Sequence, residues 1–116
     1  MWYNVITVKE GSTTMNKVTL YIGLNDKETL KQKISTEEAI EIVANIFTGY
    51  ADGCTIYNAV GYYKNYDGEV TIENTLKVEI FDIPENRLNM AIKVIKLMLN
   101  QESIAKQTEI VNSEFV

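Results

Sequence analysis

The side chains in this sequence best suited to chemistry are a tyrosine and a glutamate in the two halves of one predicted β-hairpin. Tyr63 precedes the turn Asn65-Tyr66-Asp67-Gly68, and Glu73 follows it. Paired strands bring such residues within reach of each other across a sheet. A phenol and a carboxylate can serve as general acid and base, so the pair is compatible with an isomerase-like active site. The plainer interpretation is β-propensity for Tyr63, and cross-strand pairing with a lysine or solvent exposure for Glu73.

Five further residues are candidates for contact with a ligand or a partner: Tyr21, Tyr57, Tyr62, Lys64 and Arg87. Tyrosine combines an apolar ring with a hydrogen-bonding hydroxyl, which suits it to stacking and to interfaces. Arg87, the single arginine, lies early in a predicted helix, where it either faces solvent or contacts an anion. Glu73 and Glu79 are separated by about 20 Å along one strand, too far for a catalytic carboxylate pair.

Several kinds of catalytic site are excluded by the residue types. The chain has no histidine and a single cysteine, Cys54, so a zinc site and Cys-His or Ser-His machinery are not expected. The glycines are too scattered for a phosphate-binding loop. We therefore expect no metal and no cofactor, assign no catalytic residue, and favour a protein that is not an enzyme.

Composition favours one small domain with few classes of partner. The 116 residues are 46% apolar, enough for a single core. The net charge of −5 comes without a cluster of basic residues, which argues against nucleic acid or an anionic membrane as partner. No apolar run approaches the ~20 residues of a membrane span, and residues 1–14 lack signal-peptide features.

The lone cysteine predicts a cellular compartment, and the amino-acid composition predicts the kind of genome that encodes the protein. One cysteine cannot form an internal disulfide, which fits a reducing compartment, so the cytoplasm is the expected location. Ten lysines against one arginine, with eleven asparagines and fourteen isoleucines, are typical of an AT-rich genome such as that of a low-GC bacterium or its phage.

The first half of the chain predicts strands followed by a helix. Trp2–Lys9 alternates like a strand, 10–14 reads as a loop, and Lys17–Leu24 forms the next strand with Val18, Leu20 and Ile22 on its buried face. A capping box, Ser35 to Glu38, starts a helix that ends at Gly49. Its apolar stripe comprises Ala39, Val43, Ile46 and Phe47, flanked by Ile40 and Ile42.

The second half predicts a hairpin, a helix and a last strand. The hairpin runs from Cys54 to Ile83, and Pro84 occupies the first position of the second helix. The apolar stripe of that helix comprises Leu88, Ala91, Ile92, Ile95, Met98 and Leu99. The segment Thr108–Val116 reads as a final strand with Val111, Ser113 and Phe115 on one face.

This order of elements predicts an α+β fold of the ferredoxin-like βαββαβ type. We expect an antiparallel four-stranded sheet with both helices on one face. Residues 17–116 form this single domain, and residues 1–16 form an N-terminal extension or extra edge strand.

The face of the sheet away from the helices is the expected functional surface. On the second hairpin strand, Val70, Ile72, Leu76, Val78 and Ile80 are assigned to the helix side, which leaves the alternate residues on the open face. For the first hairpin strand two registers remain: one puts Tyr57, Gly61 and Tyr63 on the open face, and the other puts Asn58 and Tyr62 there. Both give a mixed polar and aromatic face, which favours a binding or oligomer surface.

Three segments carry a resemblance to a known family: Thr19–Leu24, Gly53–Lys64 and Asp67–Thr75. Together they resemble a small bacterial or phage domain of unknown function with a fold distantly similar to the nitrogen-regulatory PII proteins. The matching positions are Tyr21, Gly23, Gly53, Thr55, Ala59, Gly61, Asp67, Gly68 and Glu73, and Tyr63 stands where that family usually has tryptophan. The resemblance covers about residues 17–116 and implies a PII-like fold and trimeric assembly.

Three functions are compatible with these features. The leading hypothesis is a non-catalytic oligomeric binding module that holds a small ligand or protein partner on its open sheet face or at a subunit seam. The second is a phage-encoded counter-defence protein that sequesters a nucleotide signal or blocks a host effector. The third is an isomerase-like enzyme that uses Glu73 and Tyr63. The sequence leaves the choice between dimer and trimer open.

Overall fold

The order of elements is a ferredoxin-like arrangement preceded by one short strand. The structure is a computed structural model that describes residues 6–9, 12–114 and 116. The elements in these ranges are β1 (Ile6–Lys9), β2 (Ser12–Gly23), α1 (Thr36–Tyr50), β3 (Thr55–Lys64), β4 (Val70–Phe81), α2 (Glu85–Met98) and β5 (Ala105–Ser113).

The sheet is antiparallel throughout, with β2 and β4 at its centre. β4 pairs with β2 on one side and β3 on the other, and β5 pairs with the free side of β2. Counted from β2, the chain follows the βαββαβ order, so the predicted ferredoxin-like fold is confirmed. β1 pairs with the first residues of β2, where Ile6 is opposite Thr14. The predicted strand residues 2–5 lie outside the described part of the chain.

Capping and apolar periodicity account for both helices. The Ser35 Oγ accepts the Glu38 N–H at 3.1 Å, which satisfies a backbone donor at the start of α1. The buried residues of α1 are the four predicted ones, Ala39, Val43, Ile46 and Phe47. Pro84 is the N-cap of α2, one position before the predicted one.

The stripe of α2 was predicted correctly except at its end. Leu88, Ala91, Ile95 and Leu99 are buried, and Ile92 is partly buried against the core. Met98 is 51% exposed, so its assignment to the core was wrong. Leu99, four residues after Ile95, takes the last core position because residues spaced by four share a helix face.

The helix-facing side of the sheet forms the core, but the hairpin extends beyond it. The fully buried residues include Leu20 and Ile22 of β2 and Leu76, Val78 and Ile80 of β4. Val70 and Ile72 are 56% and 60% exposed, so their predicted burial was wrong. They lie on the correct side of β4 but toward its hairpin end, past the residues that the helices cover.

Two strand boundaries differ from the sequence prediction. Ser12 to Thr14 were assigned to a loop but belong to β2, where Thr13 and Thr14 pair with Ser113 and Asn112. β5 starts at Ala105, three residues early, because its first residues pair with β2 as far as Tyr21. As an edge strand with exposed polar side chains, β5 lacks the apolar alternation that marks a buried strand. Phe115 lies outside the described residues.

Candidate functional site

The pairing of β3 with β4 decides between the two registers left open by the sequence. Ile56 lies opposite Val78, whose side chain is in the core, and Ile56 packs against that core. Because side chains alternate along a strand, Tyr57, Gly61 and Tyr63 lie on the open face. The first of the two predicted registers is therefore the observed one.

Glu73 is held at the hairpin end of the open face by a backbone hydrogen bond and by packing against a glycine. It lies on β4 opposite Gly61, and its Oε2 accepts the Asn25 N–H at 2.9 Å. Its carboxylate rests over Gly23 of β2, where a Cβ atom would overlap with it. Gly23 thus leaves the space that this carboxylate occupies. Within the described part of the chain, no hydrogen bond is made to Glu73 Oε1.

The ring of Tyr63 packs over a second glycine, Gly61. The ring of Tyr63 folds back over Gly61, so that a Cβ atom on Gly61 would come within 2.6 Å of the ring. Gly61 is directly opposite Glu73. The Tyr63 ring therefore lies on the same face of the sheet as Glu73, over the residue that Glu73 faces across the strands.

Glu73 and Tyr63 line one cleft of about 520 Å³. The loop after β2 forms one wall and the hairpin turn forms the other, while Thr71 and Glu73 form the floor. The lining residues are Asn25, Asp26, Lys27, Leu30, Tyr63, Asn65, Tyr66, Asp67, Thr71 and Glu73. The turn is held by hydrogen bonds from Asn65 N–H to the Glu69 carbonyl and from Gly68 N–H to the Asn65 carbonyl. Gly68 has φ +87°, a conformation that favours glycine.

The cleft carries more negative than positive charge. Three acidic residues line it, Asp26, Asp67 and Glu73, against the single basic residue Lys27. The Asp26 carboxylate is buried within the wall and lies 3.9 Å from Lys33 Nζ. Acidic side chains beside tyrosine rings attract cations through both charge and the ring faces. The cleft is therefore suited to a positively charged ligand that also carries a flat ring.

Asp26 anchors the wall of the cleft to the end of α2. Its carboxylate accepts hydrogen bonds from Asn100 Nδ2 at 2.7 Å and from the N–H groups of Glu28 and Thr29 at 2.9 and 3.0 Å. The Asn100 hydrogen bond, followed by that from Thr29, holds the pKa of Asp26 well below its ordinary value. Asp26 is 4% exposed and is ionised at neutral pH.

The anchoring of Asp26 predicts a loss of stability in acid. Because the pKa of Asp26 is lower in the folded than in the unfolded chain, its contribution is present above its ordinary value of 3.8 and is lost as the pH falls below it. Asp26→Asn is expected to lower the free energy of unfolding at pH 7. Between pH 5 and pH 3 the free energy of unfolding should then fall less than it does in the wild-type protein. Urea denaturation at both ends of this range measures the effect. An Asp26→Asn variant with the wild-type pH profile would contradict the assignment.

A second polar cluster crosses the open face away from the cleft. Glu79 accepts the Tyr57 hydroxyl at 3.0 Å and lies 3.2 Å from Lys17 Nζ and 3.8 Å from Lys77 Nζ. Partial burial raises the pKa of Glu79, but the hydrogen bonds from Tyr57 and Lys17 lower it by more, so the pKa lies below its ordinary value. These contacts join β3, β4 and β2, which indicates a structural role for Tyr57 and Glu79.

The other predicted site residues do not join the cleft. Tyr21 is half-buried on β2, opposite Lys77 and Ala105. Tyr62 and Lys64 lie on the opposite face of the hairpin from Tyr63, and both are exposed. Arg87 is exposed in the first turn of α2, at the far end of the helix from Asn100, which contacts the cleft wall.

Sequence reasoning missed the residues that hold the cleft together. Asn25 and Asp26 lie in the polar stretch 25–34 and Gln101 lies in the polar stretch 100–106, neither of which has a pattern that predicts a functional role. A local signal existed for Asp26. An aspartate that closely follows a strand often accepts the backbone N–H groups two or three residues later and so stabilises a turn. Nothing local marked Asn25 or Gln101, whose partners are distant in sequence.

Neither a metal cluster nor a membrane-crossing helix occurs in the part of the chain that the structure describes. No group of three or more His, Cys, Asp or Glu side chains there is arranged to hold a metal ion. None of the described helices has the length and apolar character that a bilayer crossing requires.

Comparisons with solved structures place the fold among ferredoxin-like proteins. A phage SAM lyase in complex with S-methyl-5'-thioadenosine matches with a TM-score of 0.63 and 14% identity over 95% of both chains. CutA from Synechococcus elongatus, complexed with Bis-Tris, matches with a TM-score of 0.57 and 11% identity over 89% of this chain and 87% of that one. The divalent ion tolerance protein CutA1 from Ehrlichia chaffeensis matches with a TM-score of 0.51 and 14% identity over 82% and 80%.

The sequence comparisons add nothing to this likeness. No family model and no curated protein matches the chain, so they lend no support to membership in a family of unknown function. At identities of 10–14% the structural likeness concerns the fold alone. The chain therefore shares the ferredoxin-like fold of the CutA proteins and the phage SAM lyase.

Proposed function

We propose that the protein is a ligand-binding module, and that its ligand is an S-adenosyl compound such as S-adenosylmethionine held in the cleft beside Glu73. The observation that carries the proposal is the Glu73 carboxylate, fixed by the Asn25 N–H and left with Oε1 available in an acidic cleft lined by tyrosines. The phage SAM lyase of the same fold, solved with S-methyl-5'-thioadenosine, supports this class of ligand.

Each chemical group of such a ligand has a matching residue in the cleft. Its volume of about 520 Å³ falls within the range of small-molecule sites. A sulfonium or ammonium cation is stabilised by Glu73 and Asp67, and the ligand carboxylate by Lys27. The ring of Tyr63, which is 49% exposed, offers a surface for stacking of the adenine.

A second candidate function is cleavage of S-adenosylmethionine, and the position of Glu73 beside Tyr63 favours it. Breaking the bond between sulfur and the amino-acid side chain leaves the bonding electrons on sulfur and yields neutral S-methyl-5'-thioadenosine. In an elimination, a proton on the adjacent carbon is lost to a base while a carbon–carbon double bond forms. We assign the role of this base to Glu73, because its Oε1 accepts no hydrogen bond from the described residues.

Calorimetric titration followed by product analysis tests both candidates. We expect S-adenosylmethionine and S-methyl-5'-thioadenosine to bind, and ATP, whose charge is strongly negative, to bind more weakly. Appearance of S-methyl-5'-thioadenosine from S-adenosylmethionine would show a lyase, and its absence despite binding would show a non-catalytic module. Tighter binding of ATP than of S-adenosylmethionine would contradict the proposal.

The same cleft serves the other roles compatible with the sequence. A counter-defence protein that sequesters a nucleotide-derived signal needs a pocket for the adenosine part of that signal, and this cleft offers one. A cytoplasmic location agrees with the proposal, because S-adenosylmethionine is made and used there.

We also propose that the module assembles as a homo-oligomer through the projecting end of its hairpin. Four apolar side chains there are 55–68% exposed on the helix side of the sheet: Val60, Tyr62, Val70 and Ile72. Tyr62 lies directly opposite Ile72, so the side chains form a continuous patch. Exposed apolar patches of this kind are typical of interfaces.

The assembly proposal predicts that charge on this patch separates the subunits. Ile72→Lys is expected to lower the mass of the particle, measured by native mass spectrometry, because a lysine buried at the interface would be unpaired. Met90→Lys is the matched control, since Met90 is 54% exposed on α2, away from the hairpin. An unchanged mass for Ile72→Lys would show that subunits, if joined, meet elsewhere.

A further inference from the structure

Gln101 is a buried amide that connects the end of α2 to the cleft wall. It is 9% exposed, and its backbone N–H donates to the Lys96 carbonyl at 3.0 Å. Its side-chain Nε2 donates to the Asn25 carbonyl at 2.7 Å and to the Leu99 carbonyl at 3.3 Å. Burying an amide costs free energy unless its hydrogen bonds are made, and the shortest of these bonds crosses to Asn25.

Asn25 connects Gln101 to Glu73. Its carbonyl accepts from Gln101, and its N–H donates to Glu73 Oε2 at 2.9 Å. The preceding residue is fixed as well, since Leu24 N–H donates to the Asn74 carbonyl at 3.0 Å. On the other side, the Asp26 N–H donates to the Lys31 carbonyl at 2.8 Å. The Asn25 carbonyl itself is held by Gln101, a side chain that does not line the cleft.

Among the described residues, the Asn25 N–H is the only hydrogen-bond donor to the Glu73 carboxylate, which otherwise packs over Gly23. If the Asn25 backbone rotates, Oε2 loses its donor and the carboxylate can turn away from the cleft. Asn100 provides a parallel connection, because its carbonyl accepts the Lys27 N–H at 3.1 Å and its side chain donates to Asp26. It fixes the loop one residue further on and does not contact Asn25.

We propose that Gln101 is a positioning residue for Glu73: through the Asn25 backbone it holds the carboxylate with Oε1 directed at the ligand. The inference rests on the proposed function in that Glu73 binds the ligand. Gln101, which follows α2 and does not contact the ligand, would then contribute to the affinity of the cleft.

Gln101→Met tests the role, because methionine keeps the length and burial of the side chain but has no donor. We expect the affinity for S-methyl-5'-thioadenosine to fall about tenfold, the loss of roughly one hydrogen bond. In a Glu73→Ala background the same substitution should change affinity little, since the carboxylate that it positions is absent. Asn89→Ala, on the exposed surface of α2, is the control that leaves affinity unchanged.

A second readout does not depend on the ligand. The backbone amide resonance of Asn25 in ¹⁵N spectra of the free protein should move in Glu73→Gln and in Gln101→Met alike. Gln101→Glu, which replaces the donor with an acceptor, should reproduce the effect if Gln101→Met folds poorly. Coupled Asn25 shifts without any ligand binding would sustain the positioning role and reject the proposed function. The inference would be overturned if the Asn25 resonance stayed unchanged in both Gln101 variants. It would also be overturned if the binding free energy changes of the substitutions at positions 101 and 73 were fully additive.

Discussion

Glu73→Gln is expected to lower the affinity for S-adenosylmethionine by about 10- to 150-fold while leaving the fold intact. The range corresponds to roughly 1.5–3 kcal/mol for a hydrogen bond to a charged group. Glutamine keeps the shape of the side chain, and its amide oxygen can still accept the Asn25 N–H. The loss therefore reports the missing negative charge. Titration calorimetry measures it, and circular dichroism checks the fold.

The size of the effect should depend on the charge of the ligand. Neutral S-methyl-5'-thioadenosine should lose less affinity than cationic S-adenosylmethionine in the same variant, because only the cation interacts with the full charge of Glu73. Glu79→Gln is a comparison on the same strand, since Glu79 lies in the second cluster with Tyr57 and Lys17. Equal losses for Glu73→Gln and Glu79→Gln would refute a specific role for Glu73.

Gly23→Ala is expected to reduce affinity about as strongly as Glu73→Gln, although no charged residue is replaced. The new methyl group would occupy the space of the Glu73 carboxylate, which must rotate away and give up the Asn25 N–H. The carboxylate is the mobile end of a long side chain, so the strand itself need not move. Alanine in place of glycine in a strand gains roughly 0.5–1 kcal/mol, which offsets much of the lost hydrogen bond. Chemical denaturation should therefore show a stability close to wild type.

Gly49→Ala is the matched control for this substitution. It places the same methyl group where nothing lies within 4 Å, so neither affinity nor structure should change. A Gly23→Ala protein that binds S-adenosylmethionine as tightly as wild type would mean that the carboxylate need not lie over Gly23 in the bound state. A variant that fails to fold would instead show that the β2 backbone cannot accept the methyl group.

The features that local sequence determines were predictable here. Ser35 and the apolar spacing from Ala39 to Phe47 predict α1, because capping and periodicity depend on residues a few positions apart. The turn ending at Gly68 predicts the hairpin in which β3 pairs with β4. The order of elements then leads to the ferredoxin-like fold.

The features that depend on distant contacts were not predictable. Val70 and Ile72 carry the alternation of a buried strand, but burial depends on where the helices end, which the strand pattern does not contain. The fit of the Glu73 carboxylate over Gly23 joins residues 50 positions apart in sequence. The connection from Gln101 through Asn25 to Glu73 spans an even longer stretch, and polar residues in a connecting segment give no sign of their partners.

An NMR titration of the ¹⁵N-labelled protein with S-adenosylmethionine tests most directly the claim that the ligand occupies the cleft beside Glu73. We predict that the largest amide shifts will occur at Asn25, Tyr63 and Glu73, and that Glu73→Gln will abolish them at the same ligand concentration. Shifts centred on the second cluster around Tyr57, or on the exposed surface of α2, would contradict this account.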